Sequence, residues 1–478
     1  MKGFFIFYTF LSFLTVPASA QETIKHYLSG TDKDHTVTWD FYVDKGRNSG
    51  KWSKIQVPSN WELQGFGNYN YGQDLNKPEE QGKYKHTFKA DNTWKNKKIF
   101  IVFEGAMTDT EVKVNGQLAG PVHQGGFYRF KYDITNLIKF NEDNLLEATV
   151  SKASANISVN NAERNGDFWA LGGIFRPVYL EIVPEVNIDR IAIDARADGN
   201  FTVEVFGNKL TDQYTVLAQV QQINGKKFGP AFAAKGAANQ EKTVLKSKFK
   251  KPALWNPEFP HLYKVTISLK GPEGIIHTKT EQFGFRTVET RPRDGLYVNG
   301  QKVILKGVNR HSAWPESGRT LSKKLNRMDI NLMKDMNMNA VRMSHYPPDQ
   351  DFLDLCDSLG LFVLNELTGW QAEYDTEVGR KLVKELVIRD VNHPSIIFWN
   401  NGNERGWNFA LDNDFDLYDP QKRTVLHPIE RLNGYDTKHY ITYDYLVNSY
   451  LYEQELLLPT EFMHGLYDGG HGAGLDDF

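Results

Sequence analysis

The sequence holds a single cysteine, Cys356, among 478 residues. It can therefore form neither an internal disulfide nor a cysteine-based metal cluster. An excess of one charge is also missing. Lys and Arg number 56 against 59 Asp and Glu, a formal net charge of −3, whereas an electrostatic nucleic-acid binder carries a basic surplus. HExxH and Walker loops are absent, which removes two common metal and nucleotide chemistries. Long apolar runs are scarce. One stands at the start, where Lys2 precedes an apolar stretch from Phe4 to Val16 and Ala18-Ser19-Ala20 supplies small residues for cleavage. That layout predicts a signal peptide over residues 1–20, short for a membrane span, and a secreted or periplasmic chain beginning near Gln21. No cysteine follows it directly to carry a lipid, and no second stretch is long enough to cross a membrane, so no membrane partner is expected after cleavage.

Hydrophobic residues make up 40% and charged residues 24%, close to the globular norm, and the length predicts two to four domains. Aromatic residues are plentiful: 10 Trp, 22 Tyr and 30 Phe. They suit β-sandwich cores, or a surface that stacks on flat ligands such as sugars. From Gln21 to about Pro184 short alternating runs such as Lys97–Phe103 and Thr110–Val114 are broken by Gly, Asn and Asp, with no helical stripe. Asn115-Gly116 after a strand-like run signals a hairpin. Residues 21–184 are therefore expected to form an all-β jelly-roll sandwich. Residues 185–290 continue the alternation, as in Phe201–Phe206 and Leu262–Leu269, and fit an immunoglobulin-like β-sandwich. Trp255–Pro260 reads there as a proline-bound loop between strands.

Over residues 291–478 apolar runs alternate with amphipathic stretches, the rhythm of a (β/α)8 TIM barrel. Seven strands are predicted: Val303–Val308, Ala340–Ser344, Leu361–Glu366, Ile396–Asn400, Thr424–His427, Tyr440–Tyr445 and Leu456–Glu461. Helices are predicted over Lys323–Met336 and Gln350–Leu359. Eight strands complete such a barrel, so this one is expected to be incomplete. Asp468–Gly474 is glycine-rich but follows no phosphate-loop pattern, and reads as a tight turn.

Barrel enzymes carry catalytic groups at the C-terminal ends of strands. There stand Asn309-Arg310-His311, Arg342 with Ser344-His345, Glu366, Asn403-Glu404, Tyr443 and Glu461. Two carboxylates from facing strands suit glycoside hydrolysis, one protonating the leaving oxygen and the other attacking the anomeric carbon or activating water. Glu404 and Glu461 are the candidate pair. A lone glutamate at a strand end is more often a solvated loop residue than a catalyst; Trp399, Asn400, Asn401 and Asn403 around Glu404 argue for chemistry.

Several motifs add a resemblance. Lys306–His311, Asn339–Pro347, Arg389–Ser395, Trp399–Glu404 and Thr460–His464 resemble glycoside hydrolase family 2, nearest to its β-galactosidases. Val57–Glu62, Gly125–Phe127 and Gly172–Val178 look like that family's sugar-binding jelly roll, and Leu254–Pro257 with Phe283–Arg286 like its immunoglobulin-like domain. The resemblance implies a retaining, exo-acting β-glycosidase in which Glu404 is the general acid/base and Glu461 the nucleophile. It further implies that Asn403 holds the sugar 2-hydroxyl, Arg342 orients Glu461, Tyr443 hydrogen-bonds the nucleophile, and His311, His345, Asp167 and Trp370 line the substrate site. Packed barrel-mouth histidines are the plainer reading of His311 and His345.

Departures from the family pattern accompany the match. Glu366 is followed by Leu-Thr-Gly-Trp370, without the Glu-x-His element that holds magnesium in the best-known relatives. No cofactor is called for, and Mg or Na at this site loses its main support. After His311 the chain reads Ser-Ala-Trp-Pro-Glu316, so outer subsites should differ. The expected partner is a carbohydrate substrate, with an oligomer left open. β-Glucuronidase, β-galacturonidase and β-mannosidase activities, or a non-catalytic carbohydrate-binding remnant, stand as alternatives.

Overall fold

The computed structural model describes residues 21–74, 79–236 and 241–463. The expected signal peptide, the glycine-rich turn at 468–474 and His464 lie outside the described residues.

The first sandwich pairs a six-stranded sheet, ordered Ser53–Val57, Val37–Val43, Gln81–Lys89, Asp143–Ser151, Asp109–Val114 and Gln117–Leu118, with a four-stranded sheet built on Val178–Pro184 and Lys97–Phe103. Alternation drives this. In Val37–Val43 the inward set is Trp39, Phe41 and Val43, and these pack with Trp61, Tyr84 and Phe103 between the sheets. Asn115 and Gly116, at φ 52° and 79°, close the expected two-residue hairpin between Val114 and Gln117. The expectation of no helix is corrected. Ile157–Arg164 forms one, capped by Asn156, whose side-chain oxygen accepts from the Ser158 amide.

The second sandwich sets Gly274–Phe283, Tyr263–Gly271, Thr215–Gln222 and Phe232–Lys235 against a three-stranded sheet of Asn187–Ala195, Asn200–Asn208 and Lys242–Lys248. Gln21–Glu22 pairs in parallel with His277 and Thr278 of this sheet, while Ile24–Tyr27 joins the first sandwich. The start of the described chain thus serves both. Trp255, in the expected proline-bound loop, is fully buried and donates its indole N–H to the carbonyl of Asp357, plugging the barrel floor.

The barrel is partial, as expected. Five parallel strands run in order Gly307–Arg310, Ala340–Met343, Phe362–Trp370, Ile396–Asn403 and Val425–Leu426. The fourth is buried from end to end and the third as far as Gly369, as strands covered on both faces must be. The first predicted strand is split: Gln301–Val303 belongs to a hairpin with Gly295–Val298, whose Leu296 and Val298 pack under Ala340, Phe362 and Phe398. The last two predicted strands are corrected as well. Residues from Tyr443 to Tyr452 are helical, capped by Thr442, and Leu456–Leu457 pairs with Tyr435–Asp436 in a separate three-stranded sheet. Among the described residues no helix is long and apolar enough to cross a membrane.

Both sandwiches grip the barrel. Arg176 donates to the carbonyls of Phe127 and Pro347, each at 2.7 Å. Arg286 donates to the carbonyls of Pro394 and Ile396 at the root of the fourth strand. Glu163, on the short helix, accepts from the Gly126 amide and the Tyr374 hydroxyl, and Tyr128 reaches Thr368 and Tyr374.

Candidate active site

The open ends of the second, third and fourth barrel strands converge on one guanidinium. Arg342 leaves the second strand buried, and its Nε and Nη2 donate to Glu366 Oε2 at 2.8 and 2.7 Å. Its Nη1 donates to Glu461 Oε1 at 3.0 Å, and Nη2 also reaches Asn403 Oδ1 at 2.8 Å. One cation therefore orients a supporting carboxylate, the candidate nucleophile and the candidate 2-hydroxyl binder. Burial pushes Glu366 up to about 7 even against Arg342. For Glu461 burial acts upward too, but Arg342, together with the Tyr440 hydroxyl hydrogen-bonded to this carboxylate, outweighs burial and holds the carboxyl below its ordinary value.

Asn403 ends the fourth strand fully buried, and its Nδ2 has no hydrogen-bond partner. With Oδ1 fixed by Arg342, that donor is left for a ligand, because an unpaired buried N–H is otherwise costly. Glu404 follows in the left-handed region at φ 46°. This turn is possible because Gly402 and Gly406 lie backbone against backbone: a Cβ on Gly402 would meet the Gly406 carbonyl oxygen at 2.2 Å. Glu404 Oε2 accepts from Gln371 Nε2 at 2.7 Å, and Oε1 lies 3.0 Å from His439 Nδ1. The His439 hydrogen bond, ahead of that from Gln371, lowers the Glu404 carboxyl to about 2. His439 also stands 3.7 Å from Glu461 Oε2, and ligand atoms of all three side chains lie within 4.8 Å of one another.

The other expected residues fall on a gradient from this centre. His345 is buried, with Nδ1 2.9 Å from Glu366 and Nε2 3.7 Å from Glu461; burial and then Arg342 lower it to about 3, so it is neutral. His311 sits at the exposed mouth, 3.3 Å from the Tyr346 hydroxyl and edge-on to His345. Trp370 ends the third strand half-buried, in register with Asn403. Asp167 is exposed in the sandwich loop that brings Phe168 to within 6.0 Å of the His311 ring, and its carbonyl accepts from the Tyr71 hydroxyl. Tyr443 is a correction. It is 60% exposed at the first turn of a helix, and Tyr440 instead donates its hydroxyl to Glu461 Oε2. Thr442 caps that helix and turns residue 443 away. Trp399 is a second correction: its indole is fully buried and donates to Asp419, on the side away from the site.

His439, Tyr440 and Gln371 escaped the sequence reading because none ends a predicted strand. A threonine three residues before a tyrosine amide, the cap at Thr442, was the available signal that a helix and not a strand begins there.

A magnesium ion in the manner of the best-known relatives does not fit these residues. Glu366 spends its oxygens on Arg342, His345 and Asn400, and position 368 is a buried threonine against Tyr128. Asp354, Asp357 and His393 also cluster, but His393 Nδ1 is already bound to Asp357 at 2.6 Å.

Two sandwiches thus stand ahead of a parallel βα barrel that carries paired carboxylates at its open end. The sequence matches the glycosyl hydrolases family 2 sugar binding domain over residues 42–184, the family's central domain over 182–286 and its TIM barrel domain over 289–424. The chain belongs to glycosyl hydrolases family 2. It is 32% identical to a beta-galactosidase of Thermoanaerobacter pseudethanolicus over 73% of this chain and 47% of that one. It is 26% identical to a putative beta-glucuronidase of Formosa agariphila, over 93% of this chain and 58% of that one. A crystal structure of a beta-glycosidase from Bacteroides vulgatus superposes with a TM-score of 0.72 at 25% identity, covering 86% of this chain and 55% of that one. The chain spans about half the length of the curated relatives it matches.

Proposed function

We propose that the protein is a secreted or periplasmic retaining β-glycosidase acting on terminal sugars, with β-galactosides as its substrates. The observation that supports this reading is the approach of Glu404 and Glu461, whose nearest oxygens, a shorter measure than the carboxyl-to-carboxyl separation, lie within 4.8 Å in the His439 cluster. Inversion needs room for a water and a separation of about 6.5–9.5 Å, whereas direct attack takes about 5–5.5 Å. In the first step Glu461, kept ionised by Arg342 and held by Tyr440, attacks the anomeric carbon as the leaving oxygen takes a proton from the Glu404 side. Water then enters, gives its proton back to that side and displaces Glu461. The free Asn403 Nδ2 donates to the 2-hydroxyl, a contact that strengthens as the ring flattens toward the oxocarbenium ion.

A neutral sugar is favoured because Arg342 is fully committed to Glu366, Glu461 and Asn403. One observation supports a uronide instead. Arg319 is buried against Phe168 and Tyr346, beside His311, with Nε and Nη1 unpartnered. A panel of nitrophenyl β-glycosides offered to the full-length protein separates the two: β-galactoside turnover is expected, and preference for β-glucuronide or β-galacturonide would assign Arg319 to the sugar carboxylate. Glu461→Gln should abolish turnover. Substantial residual rate would place the nucleophile elsewhere, and no turnover of any sugar by the unaltered protein would favour a binding role.

A further inference from the structure

Among the described residues His439 is the imidazole that stands close to both candidate catalytic carboxylates, and its own hydrogen bonds constrain where protons can sit. Its Nε2 lies 2.9 Å from Thr460 Oγ1. The threonine hydroxyl has one proton and also reaches the carbonyl of Thr437 at 3.2 Å; with that proton directed to the carbonyl, its oxygen accepts and Nε2 carries a hydrogen. On the opposite side Nδ1 faces Glu404 Oε1 at 3.0 Å. Were Nδ1 bare, its lone pair would point at a carboxylate oxygen at hydrogen-bond distance, a repulsive contact between two acceptors. A proton between them removes the conflict.

We propose that His439 and Glu404 hold one proton in common, and that this pair, rather than Glu404 alone, is the acid that protonates the leaving oxygen. The inference rests on the glycosidase reading above and adds His439 to it as a positioning and proton-sharing residue. The bookkeeping is closed. As the glycosidic C–O bond breaks, its electron pair stays on the leaving oxygen, which takes the shared proton; Glu461 contributes the pair that forms the new bond to carbon. The His439–Glu404 pair passes from net neutral to one negative charge. In the second step water loses a proton to the pair, its oxygen bonds to the anomeric carbon, and the bond to Glu461 breaks.

Geometry around the pair supports the role. His439 is buried, so the shared proton is shielded from bulk water. Glu404 faces it from the fourth strand, Glu461 stands 3.7 Å away, and Tyr440 follows it in the chain. Arg342 and His345 lie beyond Glu461 on the second strand and its following loop, at 3.0 and 3.7 Å from that carboxylate. Gln371 holds the far oxygen of Glu404. The arrangement also answers a difficulty. A carboxyl held near 2 has no proton of its own to give at neutral pH; paired with an imidazole that supplies one, it does.

Two measurements test this on the full-length protein. The first compares pH profiles of kcat/KM for wild type and His439→Asn, on a disaccharide and on a dinitrophenyl glycoside whose leaving group needs no proton. The variant should lose about 100-fold on the disaccharide, little on the activated substrate, and its basic limb should move down by about one pH unit or more, from a shared imidazole proton to a lone carboxyl. An unmoved basic limb, or equal loss on both substrates, overturns the proposal. The second needs no variant. Nitrogen-15 spectra of histidine-labelled protein at pH 7 should show both His439 ring nitrogens protonated or in exchange with a shared proton. A plainly bare Nδ1 or a plainly bare Nε2 overturns it. If the unaltered protein hydrolyses nothing, the glycosidase reading fails by itself, while the spectra still decide where the proton lies.

Discussion

Replacing Arg342 with methionine separates two things this side chain does at once. At 3.0 Å and an effective dielectric near 20, its Coulomb attraction for Glu461 is about 5 kcal/mol before desolvation is counted. Carboxyls beside an arginine are lowered by about 1–3 pH units, so the acid limb of kcat/KM should rise by that amount when the cation is removed. Stability should fall too. Breaking a buried ion pair from one side costs about 3–5 kcal/mol, because Glu366 is left charged and buried. Glu366 is already pushed up to about 7, so it can escape the penalty by taking a proton, and the loss should be smaller at pH 6 than at pH 8. The double variant Arg342→Met, Glu366→Gln isolates the terms: urea unfolding should recover most of the stability, and the acid limb should stay high. An acid limb moved by less than about 0.3 unit, with rate still lost, would refute the charge argument. It would leave Arg342 acting chiefly by holding Asn403 in place.

Two further outcomes are expected. Tyr440→Phe should lower kcat by about 10- to 100-fold, the worth of a hydrogen bond to a charged group, while Tyr443→Phe, at an exposed position, should leave it unchanged; steady-state rates on one nitrophenyl glycoside decide. The Asp357 carboxylate outweighs burial and raises His393 to about 9. A raised histidine stabilises fully below its unfolded value of about 6.5 and loses that contribution as pH climbs through about 9. Asp357→Asn should therefore destabilise by up to about 3 kcal/mol at pH 6 and by less at pH 9.5, read from urea midpoints; a gap that widens with pH would contradict the pair.

Where local pattern and tertiary placement agree, the sequence is readable. Trp39, Phe41 and Val43 alternate because one face of their strand is buried, and Asn115-Gly116 adopts positive φ because those two residues tolerate it. Asn403 and Glu404 were legible because a buried apolar strand delivers them to the barrel mouth. Arg342 and Glu461 were read at predicted strand ends, the motif resemblance gave them their roles, and the structure joins them through one guanidinium. What failed was the far side of the barrel. Tyr440–Tyr445 alternates like a strand, yet Thr442 caps a helix, and of this segment Tyr440 reaches Glu461. Trp399 was counted among the groups around Glu404 because strand period alone does not say which face meets the mouth. Its indole faces Asp419 and Phe415 instead. His439 and Gln371 lie in irregular backbone, where no period exists to be read.

The clasp of Glu163 and Tyr128 on Thr368 and Tyr374 bears on the order in which the chain is made. Sandwich residues leave the ribosome some two hundred positions ahead of the barrel segment they hold, and domains fold from the N-terminus as they emerge. The third strand and the loop carrying Gln371 thus arrive at a surface already formed, with donors and acceptors waiting. A nascent barrel that is slow to pair its parallel strands gains a scaffold in advance. The rim that carries the candidate carboxylates is assembled against its neighbour rather than by itself, and transplanting the barrel without that neighbour would remove the guide as well as the contacts.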